Sequence, residues 1–256
     1  GDLIMFAPAL KVLKSAYPES KIDIFTGFSP RAGDVLKEGD LINKIYKFNF
    51  PESSLLKKIR FILALRRQKY SLIVFPSGVN SLKGGIFGLL AGGKYRLGEL
   101  RNGKWGFLYT HACLPDKSIH NTQSNLDLLK AVGIAGSASL VWPGLDFSDE
   151  QKGVDEFLLT CGLRKNILVG FHPGAGKSHH FLLWDKEYFI RLGKMILEKF
   201  PQTALIIFSG PEEKEICCQI KNKIGGERVF LAENMSLRKT ACLINRCKIF
   251  VASDSG

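Results

Sequence analysis

Short apolar runs alternate along the chain with longer segments that place their apolar residues on one helical face. The short runs are rich in Val, Ile and Phe, which is typical of parallel strands buried on both faces. This alternation favours right-handed βαβ units and therefore an α/β fold with parallel sheets. The predicted strands are 21–26, 45–48, 72–76, 166–171, 203–208, 229–231 and 249–252. The predicted helices are 5–17, 53–68, 121–132, 149–160, 186–200, 212–224 and 236–246.

The pattern divides the chain into two series of such units. Trp142-Pro143-Gly144 and the helix after it separate the series, and a new strand begins at Asn166. We therefore predict an N-terminal Rossmann-like domain over residues 1–145, a connecting helix within 146–165 and a C-terminal Rossmann-like domain over 166–256. Two doubly wound domains in tandem form a cleft in which ligands held by both can meet.

Each end of the chain lies beside a loop of the kind that binds ligands in such folds. Gly1-Asp2 leads into the first helix without an initiator Met, and Asp254-Ser255-Gly256 directly follows the last predicted strand. We expect the sequence to be a fragment that is cut close to a functional loop at both ends.

Composition narrows the class of protein only in part. No apolar run reaches the roughly 18 residues that a membrane-spanning helix needs. The six cysteines include no CxxC pair and no ligand spacing with His. We therefore expect buried, reduced thiols in a cytosolic protein, with no metal site and no disulfide framework.

The net charge of +12 is unevenly placed along the chain. Between residues 51 and 110 there are eleven Lys or Arg but only two acids, Glu52 and Glu99. Such a surface attracts polyanions, which include nucleic acid, anionic lipid headgroups and phosphorylated glycans. No nucleic-acid-binding motif accompanies the charge, so nucleic acid is not favoured as the partner.

Three loops follow three of the four predicted strands of the C-terminal half, at 172–178, 209–213 and 253–256. Small and acidic residues at several strand ends of one domain are typical of a nucleotide site. Glu212 is well placed to accept hydrogen bonds from ribose hydroxyls, although an acid in the first turn of a helix is also common for electrostatic reasons.

The first of these loops invites comparison with a P-loop. His172-Pro173-Gly174-Ala175-Gly176-Lys177-Ser178 nearly matches the pattern G-x-x-x-x-G-K-[ST], but Phe171 stands at the first glycine position. The next good helix begins only near Asp185, a plausible N-cap. We favour a glycine-rich loop whose backbone amides face phosphate, and keep a P-loop ATP-binding module as an alternative.

A collinear series of motifs resembles glycosyltransferase family 9, the lipopolysaccharide heptosyltransferases. No single motif is decisive, but the series spans essentially the whole chain. Its members are Gly1-Asp2, Ala7-Pro8-Ala9-Leu10, Tyr95-Arg96-Leu97-Gly98, His120, Asn125-Leu126-Asp127, His172-Pro173-Gly174-Ala175, Trp184, Ser209-Gly210-Pro211-Glu212 and Asp254-Ser255-Gly256.

The resemblance implies a GT-B architecture, in which two Rossmann-like doubly wound domains face each other across a cleft. The N-terminal domain is expected to hold the acceptor and the C-terminal domain the nucleotide sugar. Members transfer a heptose or a related sugar from ADP-heptose to the lipid A–Kdo inner core, with inversion and without metal or cofactor. The partners implied are the nucleotide-sugar donor and an anionic glycolipid acceptor. The expected protein is a monomer, cytoplasmic and peripheral on the inner face of the inner membrane, and does not bind nucleic acid.

The resemblance also assigns roles to individual residues. Asp2 matches the proposed general base, a role that suits a carboxylate because the acceptor hydroxyl must lose its proton during attack. Arg96 and His120 fall on the acceptor side. The donor-binding residues implied are Gly174, Ala175, Gly176 and Lys177 for the diphosphate, Glu212 for the ribose, and Asp254, Ser255 and Gly256 for phosphate and sugar.

The chain departs from the family pattern in three places. Leu182 stands where the family commonly has a donor-contacting Lys, the strand before Gly-Asp is absent, and the sequence stops before a His-containing helix. We therefore expect weakened donor binding, and an activity that belongs to a longer parent. A sugar-nucleotide 2-epimerase of the same architecture stays open as an alternative, because it would act without an acceptor.

Overall fold

The computed structural model describes residues 2–27, 30–79, 81–100, 103–134, 147–174, 183–210 and 212–253. The chain forms two compact units, Gly1–Leu145 and Asp146–Gly256. None of the helices in the described ranges combines the length and hydropathy that crossing a bilayer requires.

The N-terminal unit contains two small parallel sheets. In the first, β1 pairs with β2, and in the second the order is β3-β4-β5. The hydroxyl of Tyr70, just before β3, donates to the carboxylate of Asp23 at the start of β1 (2.6 Å) and so links the two sheets. The elements are α1 (Asp2–Ala16), β1 (Asp23–Thr26), a 3-10 turn (Pro30–Val35), β2 (Lys44–Lys47), α2 (Leu55–Arg67), β3 (Leu72–Val74), α3 (Ser81–Leu90), β4 (Tyr95–Glu99), a second 3-10 turn (Gly106–Leu108), β5 (His111–Cys113) and α4 (Asn121–Lys130).

Helices α1 and α4 pack together over the main core of this unit, which includes the fully buried side chains of Leu10, Leu97 and Leu129. Helix α3 packs differently, through glycines. A Cβ atom at Gly85 would lie 2.6 Å from the Cβ of Leu108, so only glycine permits this approach.

The C-terminal unit is one parallel sheet in the order β8-β7-β6-β9. Every residue of β7 is buried, because β7 pairs on both sides and is covered on both faces. One core cluster lies under α5 and α8 and the other under α6 and α7, which is the doubly wound arrangement. The elements are α5 (Ser148–Thr160), β6 (Ile167–His172), α6 (Lys186–Lys199), β7 (Thr203–Phe208), α7 (Lys214–Ile224), β8 (Val229–Ala232), α8 (Leu237–Arg246) and β9 (Ile249–Ala252).

Each predicted strand and helix is present, with ends shifted by a few residues. Strands β4 and β5 and helix α3 were not predicted, because their sequences mix charged residues or glycine with the apolar ones. The first helix begins at Asp2, three residues earlier than predicted, so that Asp2 lies in a helical turn and not in a preceding loop.

Candidate functional site

The candidate site lies where the order of the C-terminal sheet changes direction. The chain moves from β6 outward to β7 and β8, then returns to the opposite side of β6 as β9. In parallel α/β sheets the carboxyl ends of two such strands leave a crevice that binds ligands. His172 ends β6 at this crevice, Pro173-Gly174 follows it, and Ser253 follows β9.

Ser253 ties the loops of this crevice together. Its backbone N–H donates to the carbonyl of His172 (3.0 Å), and its hydroxyl donates to the carbonyl of Pro173 (3.2 Å). The same hydroxyl oxygen accepts from the backbone N–H of Trp184 (3.3 Å). The buried serine thereby fixes the loop after β6 and the segment that leads into α6.

Trp184 stands exposed beside this serine. Its ring stacks on Tyr188, with 5.5 Å between ring centroids and 14° between planes, and meets the edge of buried Phe189. Asp185 then caps α6 as predicted, because its carboxylate accepts from the backbone N–H of Glu187 (2.8 Å). The capped helix gives this wall of the crevice a rigid base.

Glu213 places a carboxylate between two strand-end glycines. A Cβ atom at Gly174, after β6, would lie 2.7 Å from the carboxyl carbon of Glu213 and 2.9 Å from its Oε1. A Cβ at Gly210, after β7, would collide with Oε2. The two glycines therefore make the room for this half-buried acid. Glu212, the acid expected to bind ribose, is exposed and one position earlier.

His172 adds an imidazole to the same edge of the sheet. Its Nδ1 lies 3.2 Å from the carbonyl oxygen of Phe208 at the end of β7. Because a carbonyl only accepts, Nδ1 is the protonated nitrogen in this contact, and Nε2 is the acceptor of the neutral ring. The crevice thus combines a carboxylate, a ring nitrogen and loop backbone.

The N-terminal unit has its own polar network at the ends of β3 and β4. The side-chain oxygen of buried Asn125 accepts from the backbone N–H of Ser77 (2.8 Å), and its amide nitrogen donates to the carbonyl of Met5 (3.3 Å). The Ser77 hydroxyl donates to buried Glu99 (2.9 Å). Asn125 therefore joins the first turns of α1 to the loop after β3, and exposed Asp2 lies in the first of those turns.

The other predicted residues of this unit have structural contacts. Arg96 donates from Nε to the carbonyl of Leu108 (2.7 Å) and from Nη1 to that of Gly93 (2.9 Å). His120 caps α4, where its Nδ1 accepts from the backbone N–H of Thr122 (3.2 Å). Nε2 of His120 is then the nitrogen that remains available as a donor. Binding of an acceptor by either residue stays a prediction.

Several predicted donor residues lie outside the described part of the chain. They are Ala175, Gly176, Lys177, Asp254, Ser255 and Gly256, together with Leu182. Of the described residues, Gly174, Glu213 and Ser253 come together at the crevice. Glu213 and Ser253 were not singled out from the sequence. The sequence signal for Glu213 was its place in the loop 209–213, directly after a predicted strand.

Two cysteines of the C-terminal unit have raised thiol pKa values. Burial raises the pKa of the Cys217 thiol to about 11, and likewise that of Cys247, so both are protonated at neutral pH. Within the described ranges, no three His, Cys, Asp or Glu side chains are grouped as a metal would need.

Comparison with known proteins places most of the chain in one family. The family model described as glycosyltransferase family 9 (heptosyltransferase) matches residues 59–256. Lipopolysaccharide heptosyltransferase 3 of Escherichia coli is 22% identical over 269 residues, covering 100% of this chain and 75% of that protein.

Two solved structures share the fold. The glycosyl transferase family 9 structure from Veillonella parvula DSM 2008 has a TM-score of 0.79 at 18% identity, covering 100% of this chain and 72% of that one. The structure of E. coli heptosyltransferase WaaC with ADP has a TM-score of 0.69 at 16% identity, covering 99% and 78%. The likeness confirms the predicted GT-B type of α/β fold.

Proposed function

Because the chain belongs to glycosyltransferase family 9 and is therefore a glycosyltransferase, we propose that it moves a heptose or a related sugar from ADP-heptose to the lipopolysaccharide inner core. The relative from E. coli is named for heptose transfer to lipopolysaccharide, and the related E. coli structure carries ADP. Both names support this donor and this acceptor class.

The observation that carries the proposal is the Glu213 carboxylate held between Gly174 and Gly210, at the carboxyl ends of β6 and β7. A carboxylate at this edge can accept two hydrogen bonds from the vicinal hydroxyls of a ribose. The loop that begins at Gly174 offers backbone N–H groups to the diphosphate, and Lys177 supplies a positive charge. We assign Asp254, Ser255 and Gly256 to the same diphosphate and to the sugar.

We assign general base catalysis to Asp2. The carboxylate takes the proton of the acceptor hydroxyl while that oxygen attacks the anomeric carbon opposite the diphosphate. The bond from the anomeric carbon to the diphosphate oxygen breaks, and ADP leaves with the negative charge that the donor loops stabilise. This chemistry inverts the anomeric centre and requires neither metal nor cofactor.

The acceptor is an anionic glycolipid, the lipid A–Kdo core, which resides in a membrane leaflet. The cationic N-terminal unit suits it, and on that side we place Arg96 and His120. The proposal thus makes the enzyme a cytoplasmic monomer that works at the inner face of the inner membrane.

Transfer from ADP-heptose to a lipid A–Kdo acceptor tests the proposal. We expect Asp2→Ala to lower transfer at least about a hundredfold and to leave ADP affinity unchanged. Asp40→Ala, which removes another exposed carboxylate of the same unit, is the control and should retain transfer. Full activity of Asp2→Ala refutes the role of Asp2.

Calorimetry separates the proposal from its alternatives. ADP, UDP, GDP, CMP and ATP are titrated with and without Mg²⁺. A preference for ADP that ignores the metal supports the proposal. A preference for UDP indicates another donor or an epimerase, and binding confined to Mg²⁺-ATP indicates a P-loop module.

A further inference from the structure

Helix α2 turns a stripe of large apolar side chains toward solvent. Leu55 and Leu56 are 72% and 70% exposed, and Ile59 and Leu63 are 45% and 49% exposed. Their spacing places all four within about 100° of arc on the helix. Four such side chains on one helix form a contiguous patch, whereas isolated exposed leucines need no explanation.

The adjacent face of α2, which carries Ile62 and Leu65, packs against its own unit. Leu65 is buried, and Ile62 and Leu65 line a partly open pocket of about 1930 Å³ in the N-terminal unit. Leu55, Leu56, Ile59 and Leu63 do not line that pocket. The helix therefore has two apolar faces, and its own unit covers only one of them.

Positive charge surrounds the outward stripe. Helix α2 carries five basic residues and no acidic one: Lys57, Lys58, Arg60, Arg66 and Arg67. At 3.6 residues per turn, Arg60 and Arg67 fall directly beside the stripe. A protein partner of mixed charge gains little from such a rim, whereas a bilayer with anionic headgroups complements both the charge and the apolar stripe.

Exposed aromatic residues occur nearby on the same unit. Helix α3 contacts both α2 and the 3-10 turn Gly106–Leu108. Phe107 in this turn is 77% exposed and Trp105 before it is 41% exposed. Tryptophan is enriched at the level of lipid headgroups because its ring has an apolar body and a polar N–H, and an exposed phenylalanine adds apolar area to such a surface.

We propose that the outward face of α2, formed by Leu55, Leu56, Ile59 and Leu63 with Arg60 and Arg67, docks this enzyme on an anionic lipid bilayer. The inference rests on the proposed function for its purpose, since a membrane-held acceptor requires the enzyme to reach the surface. Docking itself involves lipid and no sugar.

Flotation with vesicles tests the docking surface directly. The chain is mixed with phosphatidylcholine vesicles, either alone or with about one-third phosphatidylglycerol. We expect binding to the anionic vesicles that falls as salt rises. Leu56→Gln with Leu63→Gln should weaken binding about tenfold or more, because two apolar anchors are lost. Leu159→Gln, at an exposed leucine of the C-terminal unit, is the matched control and should bind like the wild type.

A second variant keeps the test independent of how the leucine variant folds. Arg60→Gln with Arg67→Gln leaves the stripe intact and should weaken binding to anionic vesicles about fivefold for each charge removed.

Equal binding by all variants, or no binding by the wild type, overturns the proposal. A stripe variant that changes the oligomeric state without lipid also overturns it, in favour of a second copy of the chain. Transfer to a water-soluble acceptor fragment reports on catalysis alone, so a failure of docking is distinguishable from a failure of the proposed function.

Discussion

The carboxyl group of Glu213 occupies the space where a side chain at Gly174 would begin, with 2.7 Å between its carboxyl carbon and the position of a Cβ atom. The two residues come from different loops: Gly174 follows β6 and Glu213 follows β7. Any side chain at position 174 would therefore displace that of Glu213. This relationship makes both residues direct tests of the candidate donor site.

Gly174→Ala should displace the Glu213 carboxylate. The added methyl group cannot fit beside the Glu213 side chain where it now lies, so Glu213 must turn away, and we expect ADP affinity to fall about tenfold and stability by about 1–3 kcal/mol. Gly39→Ala is the control, because nothing lies within 4 Å of a Cβ there. Calorimetry and urea unfolding measure the two effects. Unchanged ADP affinity would show that Glu213 does not contact the nucleotide.

Glu213→Gln and Glu212→Gln compare the two adjacent acids. A hydrogen bond to a charged group contributes about 1.5–3 kcal/mol, so we expect Glu213→Gln to weaken ADP binding about tenfold to a hundredfold. Exposed Glu212 should tolerate the change within about twofold. Isothermal titration of both variants with ADP decides between them. If only Glu212→Gln loses affinity, the assignment from sequence is correct and that from geometry is wrong.

Asn125→Ala should loosen the junction between α1 and the loop after β3. The variant leaves the backbone N–H of Ser77 without its partner, at a cost of about 1–3 kcal/mol, and removes the contact to the carbonyl of Met5. Gln123→Ala, two residues earlier, removes a half-exposed contact to Asp127 and is the control. Urea unfolding measures the difference. We also expect sugar transfer to fall while ADP binding stays intact, because the junction positions the turn that carries Asp2.

Arg238→Met should destabilise the C-terminal unit by about 3–5 kcal/mol. Arg238 on α8 and Glu150 on α5 are largely buried and joined by two hydrogen bonds of 2.6 and 3.0 Å. The single variant leaves the charge of Glu150 buried, whereas adding Glu150→Met should restore most of the loss. Lys223→Met breaks an exposed pair with Glu187 and should cost less than about 1 kcal/mol. A double variant no more stable than the single one would contradict this account.

Cys217→Ala should remove part of the alkaline instability of the fold. Burial raises the pKa of this thiol from 9.0 to about 11. The protonated thiol therefore favours the folded state fully below pH 9, and this contribution, about 2 kcal/mol, is lost as the pH rises toward 11. Urea unfolding below pH 9 and near pH 11 should show the difference between wild type and variant changing with pH. Cys218→Ala is the control, and a difference that does not vary with pH would refute the prediction.

The fold was largely predictable because it follows from local periodicity. Runs such as 203–208 are continuously apolar, and the structure buries every residue of that strand. Strand β4 was not predicted because Arg96 interrupts its apolar pattern. In the structure, the guanidinium group of Arg96 donates to the carbonyls of Gly93 and Leu108, which is how the strand accommodates this charge. The resemblance to glycosyltransferase family 9 is confirmed by the family match.

The site was less predictable because it depends on packing between loops distant in sequence. A sequence pattern cannot tell which of two adjacent acids faces the crevice. In the structure, the Glu213 carboxyl group fills the space that Gly174 and Gly210 leave free of side chains, whereas Glu212 is exposed to solvent. The general base, the diphosphate loop and the acceptor residues stay predictions.

The fully buried strand β7 supports the crevice with the most protected part of the C-terminal sheet. Its amide protons are bonded on both sides and shielded on both faces, so they should exchange with solvent only when the whole C-terminal unit unfolds. The loops after β6, β7 and β9 all leave from this sheet. Gly174, Gly210 and Ser253, which follow three of its strands, therefore keep their relative positions for as long as the C-terminal unit stays folded.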